Sequence, residues 1–282
     1  MPLGEEFVIL ALILGILIGT ISAIIGIGGG ILFIPASIFI FGFSLKEAIV
    51  ISLFSMTGLN ISASIRYMKM KLVNYRLATL YNVWDLPGVL VGAWVTSIIT
   101  TNILSGICGA IIITLSILLF RKNNQYKLDE NPGQHINGIK TGINQSKSKQ
   151  KSKLGVNNPV IASFSSFSGG FISGLGGVGG GTSDTTTMIL LGVDPKEAAA
   201  TSQFAMVFTS VFGVIVHILL GTYGGSLLWP LMMTLGSVIG AQVGIYLITQ
   251  VQSKIIRKIL AVFACYTGIL LILLMFNIGW IF

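Results

Sequence analysis

Ten apolar runs punctuated by short polar stretches restrict this chain more than any other feature. They fall at 7–25, 31–43, 48–65, 77–99 and 103–120, then at 158–175, 185–193, 198–220, 226–249 and 256–280. A helix needs about 20 apolar residues to cross a bilayer core, and most of the runs supply them. Within hydrocarbon the backbone must satisfy its own hydrogen bonds, so such a series reads as an all-α polytopic membrane protein. Only 9% of the 282 residues are charged and the mean hydropathy is +0.89. A soluble domain carries about 25% charged residues, so a soluble enzyme and a disordered chain are both excluded.

The formal charge of +8 is concentrated in one place, since residues 121–153 hold eight Lys or Arg and two acids. Concentration in a single loop points to membrane topology and away from nucleic acid. The stretch 121–157 is polar, has no apolar period and reads as a basic, flexible linker. It divides the chain into a first membrane unit, 1–120, and a second, 158–282. The start of the chain, Met1-Pro2-Leu3-Gly4-Glu5-Glu6, lacks the basic region of a cleaved signal peptide, so the first segment is expected to stay in the membrane. Cys108 and Cys265 sit in apolar runs with no CxxC and read as small buried hydrophobes.

The two units repeat one another. Gly19, Ser22, Gly28 and Gly30 recur as Gly170, Ser173, Gly179 and Gly181, each 151 residues on. Lys46, Glu47, Ala48 and Ser52 recur 150 residues on as Lys196, Glu197, Ala198 and Ser202. Tyr75, Gly88 and Gly92 recur 148 residues on as Tyr223, Gly236 and Gly240. Corresponding loops differ in charge. Loop 66–76 carries Arg66, Lys69, Lys71 and Arg76, whereas its counterpart 221–226 carries none. Loop 100–102 is uncharged, whereas Lys254, Arg257 and Lys258 lie at its counterpart. Basic loops stay inside, so corresponding loops face opposite sides. The expected fold is therefore two inverted-topology repeats of about five segments each, an arrangement used by many secondary transporters. The central loop is expected to be cytoplasmic and both termini outside, with the cell membrane as the host.

Each repeat contains one run too short to span, and each such run follows a triple glycine: Gly28-Gly29-Gly30 and Gly179-Gly180-Gly181. A glycine tract can break a helix at membrane depth and expose backbone N–H groups at the start of the next half-helix. That end is electropositive and rich in free donors, so it suits an anion. Close helix packing through small residues is the alternative. The second tract runs on as Thr182-Ser183-Asp184-Thr185, whose hydroxyls could bond oxyanion oxygens or return to their own helix. Ser202 and Gln203, with Ser52 and Thr57 opposite, could face the same centre.

Two carboxylates, Asp85 and Asp184, lie inside apolar runs, where a charge costs on the order of 3 kcal/mol and is seldom idle. Either could carry a coupled proton. The competing readings are an N-cap for Asp184 and interfacial depth for Asp85. Their counterparts, Phe33 and Met233, are apolar. His217, Trp84, Trp94 and Trp229 could line a path, but interfacial placement explains each equally well. Gly174-Leu175-Gly176-Gly177-Val178-Gly179 matches a dinucleotide-binding string without the strand and helix that give it meaning.

Taken with the paired tracts and Pro35, the run Gly192-Val193-Asp194-Pro195-Lys196-Glu197-Ala198-Ala199-Ala200-Thr201-Ser202 resembles the sulfite exporter TauE/SafE family. The resemblance covers about 20–120 and 158–275. It implies a multi-pass carrier of sulfur-containing anions such as sulfite or sulfonates, usually moving them outward. No cofactor or metal is expected. The expected function is thus a secondary transporter of a small anion working by alternating access with proton coupling, in the bilayer, with a homodimer left open. Two other classes stay in view. A membrane scaffold could use the basic linker to hold a partner, and an intramembrane aspartyl protease could use Asp85 and Asp184. Such proteases carry Gly-x-Gly-Asp, whereas Ser183 precedes Asp184 here.

Overall fold

A computed structural model describes residues 5–25, 28–125, 159–191 and 193–247, with parts of 262–276. It contains α1 (Glu5–Ile25), α2 (Gly30–Phe39), α3 (Leu45–Lys69), α4 (Tyr75–Ile98), α5 (Thr101–Gln125), α6 (Pro159–Gly176), α7 (Gly181–Leu190), α8 (Pro195–Leu219) and α9 (Leu228–Leu247). No strand occurs among the described residues. By length and composition, Leu45–Lys69, Glu197–Leu219 and Leu228–Leu247 can each cross a membrane. At 10 residues, α2 and α7 are about 15 Å long, roughly half the hydrocarbon thickness. The fold is that of a polytopic helical membrane protein with a glycine-broken short helix in each half.

Local sequence sets the ends of these helices. Ser44 and Glu47 form a capping box at the start of α3, with Glu47 Oε2 accepting from Ser44 N at 3.0 Å. Asn74 caps α4 by accepting from Leu77 N, and its amide donates to Glu197 Oε1 at 3.0 Å. Its own backbone N–H donates to Thr201 Oγ1, so the start of α4 is fastened to α8. The helix α5 runs on to Gln125, five residues past the expected boundary at 120. Arg121 and Lys122 lie in its last turns, where basic residues suit the carbonyl end of a helix. Most of the linker, 126–157, lies outside the described residues.

The two most extensive helix pairs are α1 with α9 and α4 with α6, so the outer helices of each half pack on those of the other. Both pairs are close because small residues line them. A Cβ on Gly170 or Gly174 would run into the backbone carbonyls of Asp85 and Val89, and one on Gly15 or Gly19 into those of Met233 and Ser237. These partners differ by 148 (85 to 233, 89 to 237), the expected offset. The glycines, however, pair as Gly15 with Gly170 and Gly19 with Gly174, an offset of 155 and not 151. The match of Gly19 to Gly170 is thus displaced by about one helical turn. Glycines recur every four residues on both helices, so either alignment brings a small residue to the interface.

Between these outer pairs lie α3 and α8, packed on each other and on the short helices. The core they form is apolar except for a run of buried hydroxyls and amides that includes Ser52, Ser55, Asn60, Ser202 and Gln203.

Candidate functional site

The glycine tracts meet in the middle of the fold. Gly29, the N-cap of α2, adopts φ 90° and ψ −12°, a left-handed conformation that costs glycine nothing, and no side chain caps that end. Gly179 holds φ 88° two residues before α7 begins. A Cβ on Gly30 would strike the carbonyl of Gly177 and lie 2.5 Å from that of Val178, so the first tract crosses in backbone contact with the residues that lead directly into the second. All six tract glycines are buried. The first-turn N–H groups of a helix have no partners within it. Two such ends, one from each half, therefore converge on one buried place, with the positive poles of both half-helices directed there.

Side chains from α1, α3 and α8 surround the crossing. Ser52 Oγ donates to Gly177 O at 2.8 Å, and Ser202 Oγ donates to Gly181 O at 3.2 Å. These repeat-related serines thus both hold the second tract. Ser22 Oγ has no partner, is fully buried, and lies 2.8 Å from where a Cβ on Gly29 would stand. Sequence reasoning saw Ser22 only as a repeat position, and an unpartnered hydroxyl is visible only once α1 is placed beside Gly29. The methionines Met56 and Met206, both buried, reach the tracts as well. Gln203 is fully buried with neither end of its amide partnered. Ser52→Ala should cost about 1–2 kcal/mol by stripping Gly177 O of its donor, a melting shift of about 2–5 °C measurable in detergent, while Ser202→Ala should cost less.

The hydroxyls after the second tract divide. Ser183 Oγ lies 3.3 Å from Ser165 Oγ of α6 and not at the crossing. Thr185 Oγ1 is buried without a partner, and the side chain of Thr182 lies outside the described residues. Thr57 returns a hydrogen bond to Leu53 O in its own helix.

A second polar cluster stands on α6. Asp85 is 1% exposed and accepts from Ser166 Oγ at 2.9 Å. It lies ten residues into α4, about 15 Å along the helix axis, so it is not an end-of-helix residue. Asp184 is also 1% exposed, and neither of its oxygens has a partner. Its Oδ1 lies 2.9 Å from where a Cβ on Gly169 would stand. It sits in the first turn of α7, three residues past Gly181, so the N-cap reading does not hold. Ser166 and Gly169 are three residues apart on α6, so Asp85 and Asp184 face the same helix within one turn of each other. Tyr81 is within electrostatic reach of both. No basic side chain bonds to either carboxylate among the described residues. The corresponding positions in the other half, Phe33, Met233 and Trp229, are buried and apolar, and Ala11 stands where packing matches Ser166.

The lesser candidates fall away from both clusters. His217 bonds Gly174 O at 2.7 Å and Thr222 Oγ1 at 3.0 Å, fastening the end of α8. Trp84 and Trp94 are 44% and 55% exposed, and Trp229 packs against Phe41 and Phe43. No group of metal-binding side chains occurs among the described residues.

Buried half-helix ends from two halves that converge on one place fit a carrier of a small anion. The family model for the sulfite exporter TauE/SafE matches residues 11–271. The chain belongs to this family. It is 30% identical over 280 residues to the probable membrane transporter protein YunE of Bacillus subtilis (strain 168), covering 95% of this chain and 97% of that protein. It is 26% identical over 277 residues to the probable membrane transporter protein MJ0441 of Methanocaldococcus jannaschii, covering 94% of this chain and 95% of that one. No solved structure matches. As a TauE/SafE member the chain is a multi-pass membrane transporter of a small anion and not a protease.

Proposed function

We propose that this TauE/SafE transporter is a secondary exporter of sulfite or a small organosulfonate, working by alternating access in the cell membrane. The observation that carries the reading is the crossing of the two glycine-headed half-helices, where backbone donors from both halves converge in a buried place. The anion lies at this crossing, held by N–H groups of Gly30 and Gly181 and their successors, with Ser22 and Gln203 supplying further donors. Thr182 and Thr185 at the start of α7 are further candidate donors, whereas Ser183 lies beside Ser165. The two halves, 1–120 and 158–282, are inverted repeats, and one rocks against the other to turn the site from the cytoplasm to the outside. The linker 121–157 is cytoplasmic and both termini are outside, as the basic loops require.

Asp85 and Asp184 couple the cycle to protons. A carboxylate charge on the first turn of α7 opposes an anion at that same helix end by Coulomb repulsion. A proton on the pair removes the repulsion, so proton and anion load together and leave together. Purified protein in liposomes loaded with sulfite should release it faster than empty liposomes do. Efflux of a sulfonate, whose charge is constant over the range used, should rise when the lumen is made acid. No flux of any sulfur oxyanion would overturn the reading, and flux indifferent to the gradient would remove the proton from it.

A further inference from the structure

Met56 on α3 and Met206 on α8 are 150 residues apart, the same offset as Ser52 and Ser202, and both are 1% exposed. Both belong to the buried apolar core, and their ends lie against the glycines of the two tracts. A Cβ on Gly28 would stand 3.0 Å from Met56 Cε and 3.0 Å from Met206 Sδ. A Cβ on Gly179 would run into Met56 Cε, and one on Gly181 into Met206 Cε and Sδ. The two thioether chains thus reach across from the central helices and end against the glycines that head both half-helices. An oxyanion seated on those N–H groups would need the same space. The site also carries a second mark of a ligand, the fully buried and unpartnered Ser22 Oγ beside Gly29.

We propose that Met56 and Met206 form a paired plug that fills the anion site when it is empty, swings aside to admit the anion, and sets the size of anion accepted. The proposal rests on the anion site at the crossing and deepens it. Methionine suits the task because it has three rotatable bonds and no branch, so it can fill an irregular space and leave it without dragging backbone along. The polar contact of Met56 is weak, with Ser52 Oγ 3.8 Å from its Sδ. When the anion is bound, the soft thioether and methyl ends face the sulfur or alkyl end while the oxygens face the backbone donors. Two such chains from two halves let each side of the site open separately.

The test compares efflux of sulfite with efflux of a sulfonate bearing a two-carbon chain, using full-length protein in liposomes. Met56→Ala and Met206→Ala should each raise the ratio of sulfonate to sulfite flux at least five-fold, and Met188→Leu, buried elsewhere, should leave it as in the parent protein. Met56→Val and Met206→Val make the same test with a smaller truncation where an alanine variant does not fold. Parent protein that carries sulfite together with folded truncations of unchanged ratio would overturn the plug and leave the anion site standing. Parent protein that carries neither anion would overturn both.

Discussion

Gly30→Ala should damage the folded protein severely, because it adds a methyl where the three nearest atoms are all backbone. Its Cβ would meet the carbonyls of Gly177 and Val178, which are backbone just before the other tract and cannot rotate out of the way. Relief requires the two half-helices to separate at the point where the site is built. Overpacking of this kind costs about 1–3 kcal/mol, and the upper end is expected here, a fall of about 5–8 °C in melting temperature with loss of flux. Gly224→Ala is the control, because nothing lies within 4 Å of the added methyl and its backbone is unstrained. A Gly30→Ala protein that melts and transports like the Gly224→Ala protein would show that the crossing is looser than described.

Asp184→Asn should remove the response of flux to pH while leaving the anion able to bind. The amide has the shape of the carboxyl group and no charge, so it imitates the protonated site permanently. Gradient-driven efflux is expected to fall about ten-fold, equivalent to about 1.4 kcal/mol of lost coupling, while exchange without a gradient continues. Asp85→Asn should act in the same direction, and its amide oxygen can still accept from Ser166. Nothing in the other half can replace the pair, since Phe33 and Met233 occupy the matching positions. Full retention of pH-dependent efflux in both variants would exclude these carboxylates from coupling.

Much of the fold was legible in the sequence, for identifiable reasons. A glycine tract before a short apolar run has few uses in a membrane, so α2 and α7 could be placed within a few residues of their observed starts. The burial of Asp184 followed from the cost of charge among apolar residues. The register of α1 and α6 was not legible, because Gly15 and Gly19 on one helix, and Gly170 and Gly174 on the other, offer equivalent small positions one turn apart. Identity across the repeats cannot choose between them, whereas packing against Asp85 and Met233 does. The roles of Ser22, Met56 and Met206 were hidden for a different reason. A serine or methionine in a membrane helix carries no signal until the neighbouring glycine shows that space has been left for it. Ser166 was missed likewise, since its link to Asp85 joins residues 81 apart in sequence.

The most direct test of the account is equilibrium binding of sulfite to the purified protein, set beside Ser22→Ala and Gly179→Ala. Ser22→Ala removes an unpartnered hydroxyl and should not disturb folding. Gly179→Ala adds a methyl that meets the movable ends of Met56 and Met206, at a backbone cost of about 1 kcal/mol. An anion at the crossing should bind the parent protein saturably, with Kd raised about ten-fold in each variant while both still melt cooperatively. Saturable binding with the same Kd in all three proteins would place the anion elsewhere and contradict the site.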